Sequence, residues 1–275
     1  MVDWNSGFIG RSLLFTPLLP LAHYVQSQTQ WPQCDDLNDW LTRQGKKILT
    51  HSGKTIRFVP QIIGKQPTTQ KYETKIYQTG EVPTRTNNWH DFFNALIWQT
   101  FPSTKSILNQ IHFHAQQLEA SSLIHNRCEL RDAATLFDES GVIVVSTQPS
   151  LNRLLANFEW KSLFWQQRAA VLQSMRFFVF GHSLYEKALN PYTGMTGKGI
   201  VFDIDQAFFT RTLAEQLKIL DTLMISFLSN AHLSKSYLTP VPILGYPGWI
   251  EENQYEAYYD NKQYFRDRCP VTAIA

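Results

Sequence analysis

The sequence predicts an α+β fold that is mainly helical and carries a small β-sheet. Apolar residues recur at helical spacing over much of the chain, and the clearest long stretch covers 206–229. Only a few short segments show the alternation or the continuous apolar run of a strand. The 275 residues contain no internal repeat and no long linker. We therefore expect a single domain over 1–275.

The first part of the chain has few regular patterns. We expect residues 1–50 to form an N-terminal segment that packs on the domain, because prolines interrupt its apolar stretch. A short helix is predicted at 36–47, with its apolar residues on one face. Strands are predicted at 54–59, after a Ser-Gly turn, and at 72–77.

Helices dominate the remainder of the chain. They are predicted at 88–100, 103–119, 130–137, 150–158, 160–172, 182–189 and 206–229. A buried strand is predicted at 142–145 after a turn at 138–141, and 176–180 fits either a strand or a continuing helix. Prolines and glycines at 240–248 indicate an ordered loop, which an aromatic tail at 255–265 follows.

Composition restricts the class of protein. Charged residues are 17% of the chain, below the usual ~25%, and the formal net charge is +2, which does not favour a nucleic-acid partner. Cys34, Cys128 and Cys269 fit neither a zinc pattern nor a disulfide framework, so we expect reduced thiols in a cytoplasmic protein. The apolar stretch at 12–24 is shorter than the ~20 residues that span a bilayer. The oligomeric state stays open.

The predicted helix at 88–100 is apolar nearly all round, yet it carries His90, Asp91 and Asn94. A helix of this kind is usually buried, and each unpaired polar group within it would cost about 1–3 kcal/mol. Asn88 as the N-cap, with Asp91 in the first turn, explains the aspartate without a function. His90 and Asn94 share a helix face, which fits either a site or a satisfied core pair.

His182 and Glu186 lie one turn apart on the predicted helix at 182–189. The pair fits a metal site, an imidazole oriented as a general base, or an ordinary surface pair. The expected metal ligands are His90, Asp91, His182 and Glu186, with bound water as the nucleophile. Zinc, manganese and iron all suit such ligands, and metal-free acid–base chemistry by either histidine is the alternative.

Further charged residues complete the candidate site. Asp132 and Asp138 are candidate catalytic groups beside His90 and His182, although turn chemistry alone explains Asp138. Lys105 would either meet an anionic ligand or neutralise these carboxylates. The candidate substrate-binding residues are Arg85, Asn94, Arg131 and Lys187. Their charges favour an anionic small molecule or polymer as substrate.

Several phrases resemble one bacterial family that is defined only as a domain of unknown function. They include Asn88-Trp-His-Asp, Arg131-Asp-Ala and Gly181-His-Ser-Leu-Tyr-Glu-Lys187, and the resemblance extends over about 72–266. It implies bacterial origin and a single full-length domain. The family carries no established activity, so the resemblance supplies no catalytic residue.

Two functions remain open from the sequence. The first is a hydrolase-like enzyme whose polar cleft gathers the histidines and carboxylates. The second is a non-enzymatic binding or scaffold protein that presents the loop at 240–249 and the tail at 255–265 to a partner. A cleft lined by both histidines would favour the enzyme, whereas exposed aromatic side chains would favour the scaffold.

Overall fold

The computed structural model describes residues 3–61, 72–120, 126–230 and 233–268. The α-helices are α1 (Ala22–Gln26), α2 (Cys34–Arg43), α3 (Tyr72–Thr79), α4 (Trp89–Thr100), α5 (Pro102–Ala120), α6 (Asn126–Ser140), α7 (Pro149–Ala156), α8 (Arg168–Ser174), α9 (His182–Ala188) and α10 (Leu213–Asn230). The strands are β1 (Arg57–Pro60), β2 (Glu81–Thr84), β3 (Gly141–Ser146), β4 (Met175–Val179), β5 (Thr196–Asp203) and β6 (Thr239–Pro242). The mainly helical α+β class is confirmed.

The strands form two small sheets. β1 and β2 pair in parallel, and a four-stranded sheet has the order β4-β3-β5-β6. β3 is antiparallel to β4 and parallel to β5. All six residues of β3 are buried, as expected for a continuous apolar run with neighbours on both sides. The prediction of a buried strand at 142–145 is confirmed, and of the two alternatives for 176–180 the structure has the strand.

The N-terminal segment covers α4. The segment contains two 3-10 helices, Ser6–Gly10 and Leu13–Leu21. The prolines that we expected to break helical structure lie inside the second of them. Phe8 makes edge contacts with the rings of Trp89, Phe92 and Phe93 at 5.2 to 6.2 Å. Nine of the twelve α4 residues are buried, so the nearly uniform apolar character of this helix has a structural cause.

Some predicted elements are wrong. Residues 72–77 are helical, because α3 lies on α5, where the Asn109 amide donates to the Glu73 carbonyl and Tyr77 stacks on Phe113. These tertiary contacts outweigh the local strand preference. The turn predicted at 138–141 is absent: residues 138–140 belong to the last turn of α6, and Gly141 is the first residue of β3.

The predicted helix at 206–229 is two helices. A short 3-10 helix, Gln206–Thr210, precedes α10. Thr212 and Glu215 form a capping box at the start of α10, in which Glu215 accepts from the Thr212 amide at 2.9 Å. Among the described residues, no helix has both the length and the apolar character needed to cross a membrane.

Candidate functional site

The candidate site lies where three helix ends meet: the N-termini of α4 and α9 and the C-terminus of α6. Gly181, just before α9, fixes this meeting point, because its amide donates to the Gly141 carbonyl at 2.9 Å. A Cβ atom at Gly181 would lie 2.5 Å from the Glu139 carbonyl oxygen and from the Gly141 nitrogen. Only glycine allows this approach, which brings His182 beside Glu139.

Three ligand atoms converge at this point. The Nε2 atoms of His90 and His182 are 3.0 Å apart, and Glu139 Oε1 lies 3.6 Å from His182 Nε2 and 3.8 Å from His90 Nε2. A point in the plane of these atoms is therefore about 2.0 Å from all three, close to the usual Zn–N and Zn–O distances of about 2.0–2.2 Å. The three residues have the geometry to hold one divalent cation.

Each histidine has a carboxylate on the side away from this point. Glu186 Oε2 lies 3.1 Å from His90 Nδ1, within hydrogen-bond distance. Asp138 Oδ2 lies 3.9 Å from His182 Nδ1, where it acts through charge. A carboxylate at Nδ1 favours the tautomer that carries its proton there, which leaves the Nε2 lone pair available to a metal.

Asp138 is part of a nearly buried ion pair. Lys105 Nζ donates to both of its carboxylate oxygens, at 2.6 and 2.9 Å. Burial by itself raises the pKa of Asp138, but the charge and the hydrogen bonds of Lys105 bring it below the ordinary value. Lys105 thus neutralises a carboxylate, one of the two roles predicted for it. Asp138 faces His182 and helps to orient it.

Burial also determines the charge states of the converging groups. Burial is the largest influence on His182 and lowers its pKa to about 3, so the imidazole is neutral at pH 7. Burial raises the pKa of Glu139, an effect that His90 opposes and Asp138 reinforces. A neutral imidazole is the form of histidine that binds a metal.

Two of the four predicted ligands, Asp91 and Glu186, supply none of the three converging atoms. Asp91 does not join the three converging atoms, because the guanidinium of Arg85 holds its carboxylate through two hydrogen bonds of 3.0 and 2.8 Å. Its amide donates to the Asn88 side chain at 3.0 Å, as the capping interpretation predicts. Glu186 lies within hydrogen-bond distance of Nδ1 of His90, and Glu139 supplies the third converging atom.

The other predicted site residues are distributed around the site or along α6. Asn94 is buried and donates to the Tyr72 hydroxyl at 2.9 Å. Asp132 forms an exposed ion pair with Lys235 at 3.0 Å, and Asp132 and Arg131 lie about 10 Å along α6 from Glu139. They are therefore remote from the converging atoms.

Two of the predicted substrate-binding residues do flank the site. Arg85 is partly exposed, and its pKa is raised most by the hydrogen bonds that it donates to Asp91 and, to a smaller extent, by the negative charge of Glu186. Lys187 is exposed on α9, and its positive charge is among those that lower the pKa of Glu139 against burial. Both cations thus act on carboxylates of the site.

Sequence reasoning missed Glu139 as a member of the converging group. The carboxylate pair at 138 and 139 is visible in the sequence, but the turn interpretation hides it. Within a helix that continues to Ser140, successive residues point about 100° apart, so one carboxylate faces Lys105 and the other faces the histidines. The Gly141 that follows was the available signal, since glycine is typical just after a helix end.

Comparison with known proteins gives a family and no activity. The family model described as "Protein of unknown function (DUF3025)" matches residues 56–269, a span that includes β1 and all the converging side chains. No curated protein and no solved structure matches the chain. Because the family model covers most of the sequence, the resemblance seen in the motifs is confirmed, and the chain belongs to the DUF3025 family.

Proposed function

We propose that this protein is a metal-dependent hydrolase in which His90, His182 and Glu139 hold the metal. The observation that carries the proposal is the point about 2.0 Å from both Nε2 atoms and from Glu139 Oε1. Two imidazoles and one carboxylate are also the protein ligands of some catalytic zinc sites, which keep a position for water. The donor set suits zinc, manganese or iron.

The exposure of the ligands supports a catalytic site over a closed structural one. The His90 and Glu139 side chains are 29% and 37% exposed, so solvent reaches the cation position from their side. A metal there would lower the pKa of a bound water towards ~7 and supply a nucleophile. In such a hydrolysis the oxygen of the water would bond to the electrophilic atom of the substrate, the bond to the leaving group would break, and a proton of the water would pass to the leaving group.

The charges around the site favour an anionic substrate. Arg85 and Lys187 are exposed enough to meet a ligand, and each acts electrostatically on a carboxylate of the site. Binding of a metal would neutralise the negative charge of Glu139 and reduce the need for these cations to balance it. They would then be available to the negative group of a small molecule or polymer.

The scaffold alternative receives less support. Its contact surface requires exposed aromatic side chains between 240 and 265. Tyr255 is 65% exposed, but Trp249, Tyr259, Tyr264 and Phe265 are buried in the core. The aromatic residues of this region therefore act mainly in packing.

A cytoplasmic location is also proposed, on the evidence of the cysteines. Cys34 is a free, buried thiol, and burial raises its pKa, which makes it unreactive. Cys269 and the side chain of Cys128 lie outside the described residues. Titration of the unfolded protein with a thiol reagent, without reductant, should find three free thiols.

Hydrolysis of chromogenic substrates tests the proposed activity. Protein loaded with zinc or manganese should cleave a phosphomonoester, a phosphodiester or a carboxylic ester, and chelation should abolish turnover. His90→Ala and Glu139→Gln should remove the activity, whereas His23→Ala, at an exposed position in α1, should retain it. Turnover that survives chelation, or survives both substitutions at the site, would contradict the proposal.

A further inference from the structure

A second candidate binding site lies on the edge of the four-stranded sheet. A cavity of about 380 Å³ opens beside β4, between the start of α10 and the loop that follows β6. This volume lies within the range of small-molecule pockets, ~300–1,000 Å³. Its walls are largely aromatic and include Phe177, Phe209, Tyr246 and Trp249. None of the metal-binding candidates lines it, so the cavity is independent of the proposed hydrolase site.

The cavity holds an arginine in a fixed position. Arg176, on β4, donates from its guanidinium to Gln216 Oε1 at 2.9 Å and lies 5.3 Å from the ring centre of Phe209. Gln216 is only 3% exposed, and its amide donates to the carbonyls of Phe208 and Arg211 at 3.2 and 2.9 Å. Because the glutamine is itself fixed, the guanidinium is ordered before any ligand arrives.

The charge of this arginine has no acidic partner in the described parts of the chain. Neither Arg176 nor Arg211, the other cation that lines the cavity, forms an ion pair with a described carboxylate, and the described lining contains no Asp or Glu. The planar guanidinium fork matches a carboxylate through two parallel hydrogen bonds. An anion is therefore the complementary ligand.

The rim of the cavity is apolar and exposed. Leu13 and Leu172 line it with 62% and 50% of their surface open to solvent. Large apolar side chains at such exposure gain free energy when a ligand covers them. The ligand should therefore carry an apolar body as well as a negative charge.

We propose that this cavity binds a monocarboxylate with an aliphatic chain of medium length. Its carboxylate would pair with Arg176, and its chain would lie across Leu13, Leu172 and Trp249. This arrangement places a negative charge beside the Arg176 guanidinium and covers the exposed leucines at once.

Calorimetric titration with three probes tests the ligand class: decanoate, 1-decanol and acetate, each below its aggregation limit. Decanoate has both the negative charge and the aliphatic chain. 1-Decanol has only the chain, and acetate has only the charge. We expect decanoate to bind, and the other two to bind at least about tenfold more weakly. Decanol that binds as tightly as decanoate, or decanoate that does not bind, would overturn the proposal.

Substitutions test the position of the carboxylate. Arg176→Gln should weaken decanoate at least about tenfold and leave decanol unchanged, while Arg43→Gln, the same change on exposed α2, should alter neither. Unchanged decanoate affinity in Arg176→Gln would overturn the assignment. Leu172→Glu and Leu172→Gln test the binding position of the ligand at an exposed residue, where a substitution does not endanger folding. The glutamate variant should bind decanoate more weakly than the glutamine variant, and equal affinities would overturn the proposal.

Discussion

The Nε2 atoms of His90 and His182 lie 3.0 Å apart, although 92 positions separate the two residues in the sequence. At this distance one nitrogen donates a hydrogen bond to the other, or the lone pairs of both nitrogens coordinate a shared cation. Glu186 favours a proton on the opposite nitrogen of His90, and burial keeps His182 uncharged. When His182 also carries its proton on Nδ1, the tautomer that the charge of Asp138 favours, the two Nε2 lone pairs face and repel each other, and a metal between them would relieve this arrangement.

The carboxylate of Glu186 should contribute to metal affinity without being a ligand. Glu186→Gln keeps the shape of the side chain but weakens the interaction that orients His90. We expect the metal dissociation constant to rise about 10–100-fold, the usual effect of losing such a partner. Competition with a chromogenic chelator measures this. Glu252→Gln, at an exposed position distant in sequence, is the control, and equal constants in the two variants would make Glu186 an ordinary surface residue.

The Lys105–Asp138 pair should be costly to break from one side. Asp138→Leu leaves a nearly buried ammonium group without its partner, and we expect the free energy of unfolding to fall by about 3–5 kcal/mol. Urea denaturation measures this change. Adding Lys105→Met should restore much of the loss, whereas Asp132→Leu, in the exposed pair with Lys235, should change stability by about 1 kcal/mol or less. A small effect of Asp138→Leu would contradict the buried-pair interpretation.

Gly181 should tolerate no side chain. Its backbone has ordinary φ, so the cost of Gly181→Ala comes from the 2.5 Å approach of the new Cβ to main-chain atoms of α6 and β3. We expect a loss of about 1–3 kcal/mol and weaker metal binding, because α9 must move away from Glu139. Gly10→Ala is the control, since nothing lies within 4 Å of its Cβ position. Normal metal affinity in Gly181→Ala would show that this contact does not position the site.

The metal-free protein should lose stability in mild acid through His182. Burial lowers the pKa of this imidazole to about 3 in the folded state, against 6.5 for an ordinary histidine. Between pH 6.5 and 3 the unfolded chain binds a proton that the folded chain does not. The free energy of unfolding therefore decreases as the pH is lowered through this range. The slope from this residue is at most about 1.4 kcal/mol per pH unit. His182→Gln should lack this component, and parallel stability curves for the two proteins would contradict the low pKa.

The elements that the sequence predicts correctly are those whose local pattern agrees with their tertiary environment. The apolar run at 142–145 is a central strand, and the capping pattern at Asn88 marks the start of α4. The strand prediction at 72–77 is wrong because the conformation of α3 depends on side chains of α5. The start of α10 was predictable in principle, since Thr212 and Glu215 have the spacing of a capping box.

The candidate site was predictable in part, for a similar reason. His90 stands out because it is a polar residue at the start of an apolar helix, and His182 because Glu186 lies one turn further along its helix. The choice among nearby carboxylates depends on contacts that the sequence does not reveal. Asp91 accepts hydrogen bonds from Arg85, and Glu186 contacts Nδ1 of His90. Glu139 lies beside the histidines because of the close approach at Gly181.

Equilibrium dialysis against zinc, followed by elemental analysis, tests the central claim most directly. The account predicts one bound ion per chain in the native protein and its loss in His90→Ala, His182→Ala and Glu139→Ala. Asp91→Asn should keep the ion, because that carboxylate is held by Arg85. Undiminished metal content in the first three variants would contradict the proposed metal site, and loss of the ion in Asp91→Asn would contradict the choice of Glu139 over Asp91.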